Sequence, residues 1–122
     1  MIQASNNKYD LEERTSKFGQ DVICLCKKVT ENTISKPIIS QLVRSATSVG
    51  ANYMEANGAS SKKDFINKIH ICRKEVQETK HWLKMLLSCS DNLLDEIMKL
   101  SDECRQLILI FQSISTKAKE KK

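Results

Sequence analysis

The sequence predicts an all-α fold, an up-down-up-down antiparallel four-helix bundle. Two observations predict it: four apolar ladders of helical period, and connectors between them of only a few residues. The composition agrees. Of 122 residues three are Gly and one is Pro, with 5% aromatic and 40% apolar, a balance rich in helix formers and poor in turn formers. A chain of this length makes one domain, residues 1–122, with a sizeable buried core.

The first helix is expected at about 10–31, opened by Asp10 with Glu13 three residues on, a capping-box arrangement. Its ladder is Leu11, Thr15, Phe18, Val22, Leu25 and Val29, in alternating steps of four and three. Pro37 suits the first turn of a second helix at 37–56. That ladder is Ile39, Leu42, Ala46, Val49 and Tyr53, and Asn57-Gly58 supplies the stop. Gly50 sits inside this helix, where it costs about 1 kcal/mol against Ala.

Ser61 with Asp64 opens the third helix, 62–87, as a second capping box. Phe65, Ile69, Cys72, Val76, Thr79, Leu83 and Leu86 form its ladder. Ser88–Ser90 interrupts the pattern, and Leu93, Ile97, Leu100, Cys104, Leu107, Phe111 and Ile114 continue it in a fourth helix at 91–116. Sustained alternation of three and four is the seam of helices packed at a shallow angle. Short connectors force neighbours antiparallel, although two long hairpins exchanged between chains would read the same way. Residues 117–122 read as a flexible basic tail.

No apolar run approaches the roughly 20 residues of a membrane span, and Met1–Lys8 lacks the apolar stretch of a signal peptide. A cytoplasmic chain without membrane contact is expected. Cys24, Cys26, Cys72, Cys89 and Cys104 are an odd set without zinc-type spacing; reduced, apolar cysteines are the simplest reading. Charge is unevenly placed within the net +5. Residues 1–61 carry +1, and residues 62–87 carry +4, seven Lys or Arg against three Asp or Glu. Residues 88–114 carry −3, two against five, and residues 115–122 carry +3, four against one. A phosphate-bearing partner and self-association through opposite charges both fit this pattern.

Helix three sorts its side chains. On the side away from the ladder lie Ile71, Glu75, Glu78, Trp82 and Met85, an extra stripe that reads as an oligomer interface or as cover for a bundle edge. Lys62, Lys63, Arg73, Lys74, Lys80 and Lys84 share one flank with His70 and His81, at about 100° per residue. That flank fits a phosphate backbone, a heterologous ring contact, or simply a solvated face. On helix two, Gln41, Ser45, Ser48, Asn52 and Glu55 make a polar ridge bordered by Arg44, of the kind that orders a bundle or an interface.

Nothing reads as a catalytic centre. No glycine-rich phosphate loop or nucleophile elbow occurs. The one Glu-x-x-His, Glu78 to His81, lacks the second copy and the two further carboxylates of a di-iron bundle. No cofactor or metal is expected.

Arg44-Ser-Ala-Thr-Ser-Val-Gly-Ala-Asn-Tyr-Met-Glu55 resembles a block of the four-helix bundle proteins encoded within intervening sequences of bacterial 23S ribosomal RNA genes. Arg44, Ser45, Ala46, Ser48, Asn52 and Glu55 carry the match, with Ala56 in the last place. Ser61 through Leu83 resembles that family's third helix at Lys62, Phe65, Glu75, Glu78, Thr79, Trp82 and Leu83. The resemblance implies a left-handed up-down bundle assembling into a homopentamer. The family is related to the accessory variability determinant of diversity-generating retroelements, a basic pentameric bundle that engages nucleic acid and a reverse transcriptase. The acidic fourth helix here departs from that branch and weighs against a reverse transcriptase partner. The functional expectation is a non-enzymatic oligomer binding structured RNA or DNA through its basic flank. The alternative is a protein-interaction scaffold or reverse-transcriptase accessory with no direct nucleic-acid role.

Overall fold

The computed structural model describes residues 7–121, with side chains from Leu11 onward. Among them are four α-helices: α1 (Asn7–Cys26), α2 (Ser35–Asn57), α3 (Lys62–Leu87) and α4 (Leu94–Glu120). A single 3-10 turn, Asp91–Leu93, leads into α4, and the described residues contain no strand. No helix among them is long and apolar enough to cross a membrane.

The four ladders make one core. Every ladder residue is buried except Ile39, Phe65 and Ile114, which are half-buried and pack against it. Large side chains such as Phe18, Leu42, Ile69, Leu83 and Phe111 lose almost all contact with solvent, each contributing on the order of 2 kcal/mol through apolar burial. Tyr53 and Phe111 meet at a centroid distance of 6.1 Å. Cys26, Cys72 and Cys104 are buried free thiols, and burial pushes their pKa values up to about 11, 12 and 12. They act as small apolar residues and carry little thiolate at neutral pH.

The helices close around this core with unequal seams. α2 packs most extensively on α3, followed by α3 on α4 and α1 on α2, and the α1–α4 seam is the thinnest. Side-chain bridges span that thin seam: Arg14 Nε and Nη2 donate to the Glu103 carboxylate at 2.7 and 2.9 Å, and Nη2 also to Gln106 at 2.8 Å. Lys28 pairs with Glu96 at the other end. Partner numbers fall along one helix as they rise along the next: 14 with 103 and 28 with 96, 44 with 75 and 55 with 68.

Helix ends depart from the sequence reading in several places: α2 begins at Ser35, before Pro37, and α4 at Leu94, after the 3-10 turn. α1 is already running at Asn7, so Asp10 lies inside it and does not begin it; the Asp10 side chain lies outside the described residues. α1 stops at Cys26 although the ladder continues to buried Val29, because residues 27–29 turn through bonds such as Lys28 N–H to Leu25 O at 3.0 Å. Gly58 ends α2 at φ −97°, not in the left-handed conformation that a Gly stop favours; its N–H bonds to Met54 and Glu55 carbonyls instead. Finally, Lys117–Glu120 continue α4 as helix, where a frayed tail is the expectation; Lys122 lies outside the described residues.

Other local signals are realised. The Ser61 side chain accepts from Asp64 N–H at 3.0 Å and caps α3. Pro37 sits in the first turn of α2, and Asn32 leads into that helix, its Oδ1 accepting from the N–H groups of Ile34 and Ser35 at 2.9 Å.

Gly50 faces α1. A Cβ built there lies 3.5 Å from Thr15 Oγ1 and 3.6 Å from the Thr15 carbonyl, ordinary contact distances. Gly50→Ala is therefore expected to raise stability by about 1 kcal/mol through helix propensity, seen as a higher urea midpoint at unchanged slope. A lowered midpoint would show that α1 cannot accept the added methyl.

Candidate nucleic-acid interface and subunit surface

The α2–α3 seam holds two polar layers. Inside, the hydroxyls of Ser45 and Thr79, both fully buried, are hydrogen-bonded at 2.9 Å, and Thr79 Oγ1 also lies 2.8 Å from the Glu75 carbonyl. Ser45 of the polar ridge thus lies inside the seam, where Thr79 supplies a partner for a hydroxyl that burial would otherwise leave costly. Outside, Arg44 gathers the acids of α3. Its Nη1 donates to Glu75 at 3.3 Å, its Nη2 to Glu78, and its Nε to Gln41 at 2.9 Å.

Glu78 also accepts from the Trp82 indole N–H at 3.0 Å. That bond first, and the Arg44 bond second, hold the Glu78 carboxyl below its ordinary range, while Glu78 raises Arg44 in return. Trp82 is half-buried against the core, with His81 edge-on at 4.8 Å. Of the remaining stripe, Ile71 is exposed while Glu75 and Met85 are half-buried. The stripe therefore borders the α2 seam along most of its length. The rest of the α2 ridge is bonded too: Asn52 Nδ2 donates to the Ser48 carbonyl at 2.9 Å, and Lys68 donates to Glu55 at 2.7 Å.

The far flank of α3 is built differently. Lys62, Lys63, Lys74, Lys80 and Lys84 are exposed and Arg73 is half-buried. Among the described residues no salt bridge involves any of the six. Lys68, which projects to the other side, is the α3 lysine that has an acidic partner. Three acids of α4 are engaged away from this flank. Glu96 and Glu103 serve α1 through Lys28 and Arg14, and Asp102 accepts from Arg105 and Gln106.

The end of α4 adds cations instead. Lys62 Nζ donates to the Lys121 carbonyl, and Arg73 Nη1 donates to Gln112 Oε1. Partial burial first, then the charges of Lys119 and Arg73, push the His70 imidazole below its ordinary pKa. Gln112 and Lys119 were not legible as neighbours of this flank, since they lie on another helix and Gln112 is 39 residues from Arg73 in sequence. Glu78-x-x-His81 has no metal set around it: among the described residues no group of three or more His, Cys, Asp or Glu converges.

Both sequence blocks that single out α2 and α3 thus meet at one seam, Arg44 and Ser45 from the first touching Glu75, Glu78 and Thr79 from the second. A profile of these proteins spans the same region. The 23S rRNA-intervening sequence protein profile matches residues 7–113. The chain belongs to the 23S rRNA-intervening sequence protein family. Among solved structures, it is similar to the crystal structure of a protein of unknown function from the S23 ribosomal protein family of Bacteroides thetaiotaomicron. The TM-score is 0.77 at 26% sequence identity, covering 91% of this chain and 99% of that one. Comparison with curated proteins gives no match. The family profile takes in α1 to α3 and most of α4, and stops before Lys117.

Trp82 is the one tryptophan of the chain, so its emission reports on Glu78. Because the folded pKa of Glu78 is depressed, the bond is intact above the ordinary carboxylate value of 4.5 and is lost as pH falls through a lower value. A fluorescence step with its midpoint below 4.5, absent in Glu78→Gln, is expected. A step that survives Glu78→Gln would assign it to another group.

Proposed function

We propose that the chain is a non-enzymatic, up-down-up-down antiparallel bundle that assembles into a cytoplasmic homopentamer and binds structured RNA or DNA. The binding surface is the flank of α3 that carries Lys62, Lys63, Arg73, Lys74, Lys80 and Lys84. One observation carries this reading: these six cations have no acidic partner among the described residues, while Arg44 and Lys68 on the other side are paired. Cations left uncompensated along more than six turns of helix give a linear array suited to a phosphate backbone. The ribosomal RNA context in the family's name, and the ribosomal protein family of the similar structure, point to the same class of partner.

Subunits are proposed to meet along Ile71, Glu75, Glu78, Trp82 and Met85. Exposed Ile71 at the margin of a half-buried tryptophan supports a contact that continues outside the chain. A second reading, a protein-interaction scaffold, draws on Leu94, Met98 and Leu109, which stand exposed on α4. A reverse transcriptase partner is less favoured, since residues 88–114 carry −3.

Two experiments test these readings. Binding of a labelled RNA duplex is expected to weaken as salt rises, with a log–log slope between about −3 and −5. The triple variant Arg73→Glu, Lys74→Glu, Lys80→Glu is expected to abolish binding while keeping the oligomer. No binding at low salt, or a triple variant that binds normally, contradicts the nucleic-acid reading; a dissociated oligomer favours the scaffold. For assembly, Ile71→Asp is expected to lower the mass in light scattering, and an unchanged mass removes the stripe from the interface.

A further inference from the structure

Along the basic flank one residue differs from its neighbours. Arg73 is half-buried, and its Nε–H is buried without a hydrogen-bond partner, the one such side-chain group among the described residues. Its Nη1 is held by Gln112 of α4. A buried guanidinium donor left unpaired is destabilising, so an incoming acceptor has a stabilising role to play there. The contacts Lys62 to Lys121 and Arg73 to Gln112 bracket the stretch of seam that contains His70 and Lys119. Lys62 Nζ also occupies a carbonyl at the end of α4, which offsets the negative end of that helix.

His70 is half-buried one turn before Arg73. The charged groups that act on it are Arg73 from its own helix and Lys119 from α4, and no carboxylate is among them. Lys74, one turn further along α3, adds a cation without an acidic partner among the described residues. Surrounded by cations and partly desolvated, the free imidazole stays neutral at neutral pH. An anion placed between these groups reverses the balance and favours the imidazolium.

We infer that Arg73, His70, Gln112 and Lys119 form a phosphate-binding site at the α3–α4 seam, which anchors nucleic acid and takes up a proton as phosphate enters. The inference rests on the nucleic-acid reading and narrows it. The guanidinium leaves Gln112, turns toward the seam opening and gives Nε–H and Nη2–H side by side to two phosphate oxygens. Gln112 keeps its amide N–H for a third, Lys119 supplies charge, and protonated His70 supplies a further donor. The exposed lysines of α3 then track the backbone outward from this point. Lys119 lies beyond the residues matched by the family profile, so the site is not a feature of the matched segment alone.

The sign of the linkage is fixed. A group whose pKa rises on binding makes affinity increase as pH falls, levelling off below the pKa of the free protein. The test uses the full chain with a short labelled RNA duplex at constant salt, between about pH 7.5 and about pH 5.5. Affinity is expected to rise at least about threefold toward the lower pH, and His70→Gln is expected to flatten the dependence while His81→Gln leaves it. Arg73→Ala is expected to weaken binding by about ten- to a hundredfold, and Lys63→Ala by less than about threefold. Duplex binding with no pH dependence, or Arg73→Ala no worse than Lys63→Ala, overturns the site and leaves the nucleic-acid surface standing.

Inorganic phosphate gives the independent arm. Followed by NMR, the His70 ring is expected to titrate at a higher pH when phosphate is added, and the His81 ring to move less. That result without any duplex binding would keep the phosphate site and remove the nucleic-acid reading. No phosphate-dependent change at His70 overturns the site whether or not the duplex binds.

Discussion

Arg44 sets the charge arrangement on which the rest of the surface depends. Its guanidinium reaches across the α2–α3 seam to both Glu75 and Glu78, two of the three acids that α3 possesses. Glu78 is held again by the Trp82 indole. Once these carboxylates are fixed on the α2 side, Asp64 is the one α3 acid left, and no salt bridge joins it to the opposite flank among the described residues. A solvent-exposed ion pair of this kind contributes little to stability by itself, about 1 kcal/mol or less. Its consequence lies in the partition: acids on one side of a helix, unpaired cations on the other.

The same partition recurs around the molecule. Acidic α4 would oppose a phosphate-binding role if its carboxylates faced α3. Glu103 and Glu96 are instead drawn to Arg14 and Lys28 of α1, and these charge bridges span the seam where the two helices approach least closely. What α4 turns toward α3 is Gln112 and, near its end, Lys119. The mechanical layer beneath is conventional. A single core from four ladders holds the helices, and the buried Ser45–Thr79 pair marks the α2–α3 register with a polar contact that slippage would leave unsatisfied.

Much of this was legible in the sequence, for a definite physical reason. Alternation of three and four along each helix is a local property, and burial followed it nearly residue by residue from Leu11 to Ile114. The ends were less readable. Val29 stays buried outside α1 because a turn can carry an apolar side chain inward as well as a helix can. Gly58 stops α2 without the left-handed conformation, since the bonds to Met54 and Glu55 carbonyls already tighten the last turn. For the candidate site, helical geometry sorted the α3 side chains into a stripe and a flank. It gave no means of seeing that Ser45 turns inward to Thr79, that Arg44 holds the stripe's acids, or that Lys119 approaches His70. Those are meetings between helices, with no local sequence pattern to announce them.

The central claim is that unpaired cations on one flank of α3, and not net positive charge, carry the nucleic-acid surface. Lysine acetylation footprinting with mass spectrometry tests it directly on the full chain. In the presence of duplex RNA at low salt, Lys62, Lys63, Lys74, Lys80 and Lys84 should be protected. Lys27, Lys36 and Lys99, equally exposed but off that flank, should react as in the free protein. Protection spread evenly over all exposed lysines, or confined to lysines outside α3, would contradict the account.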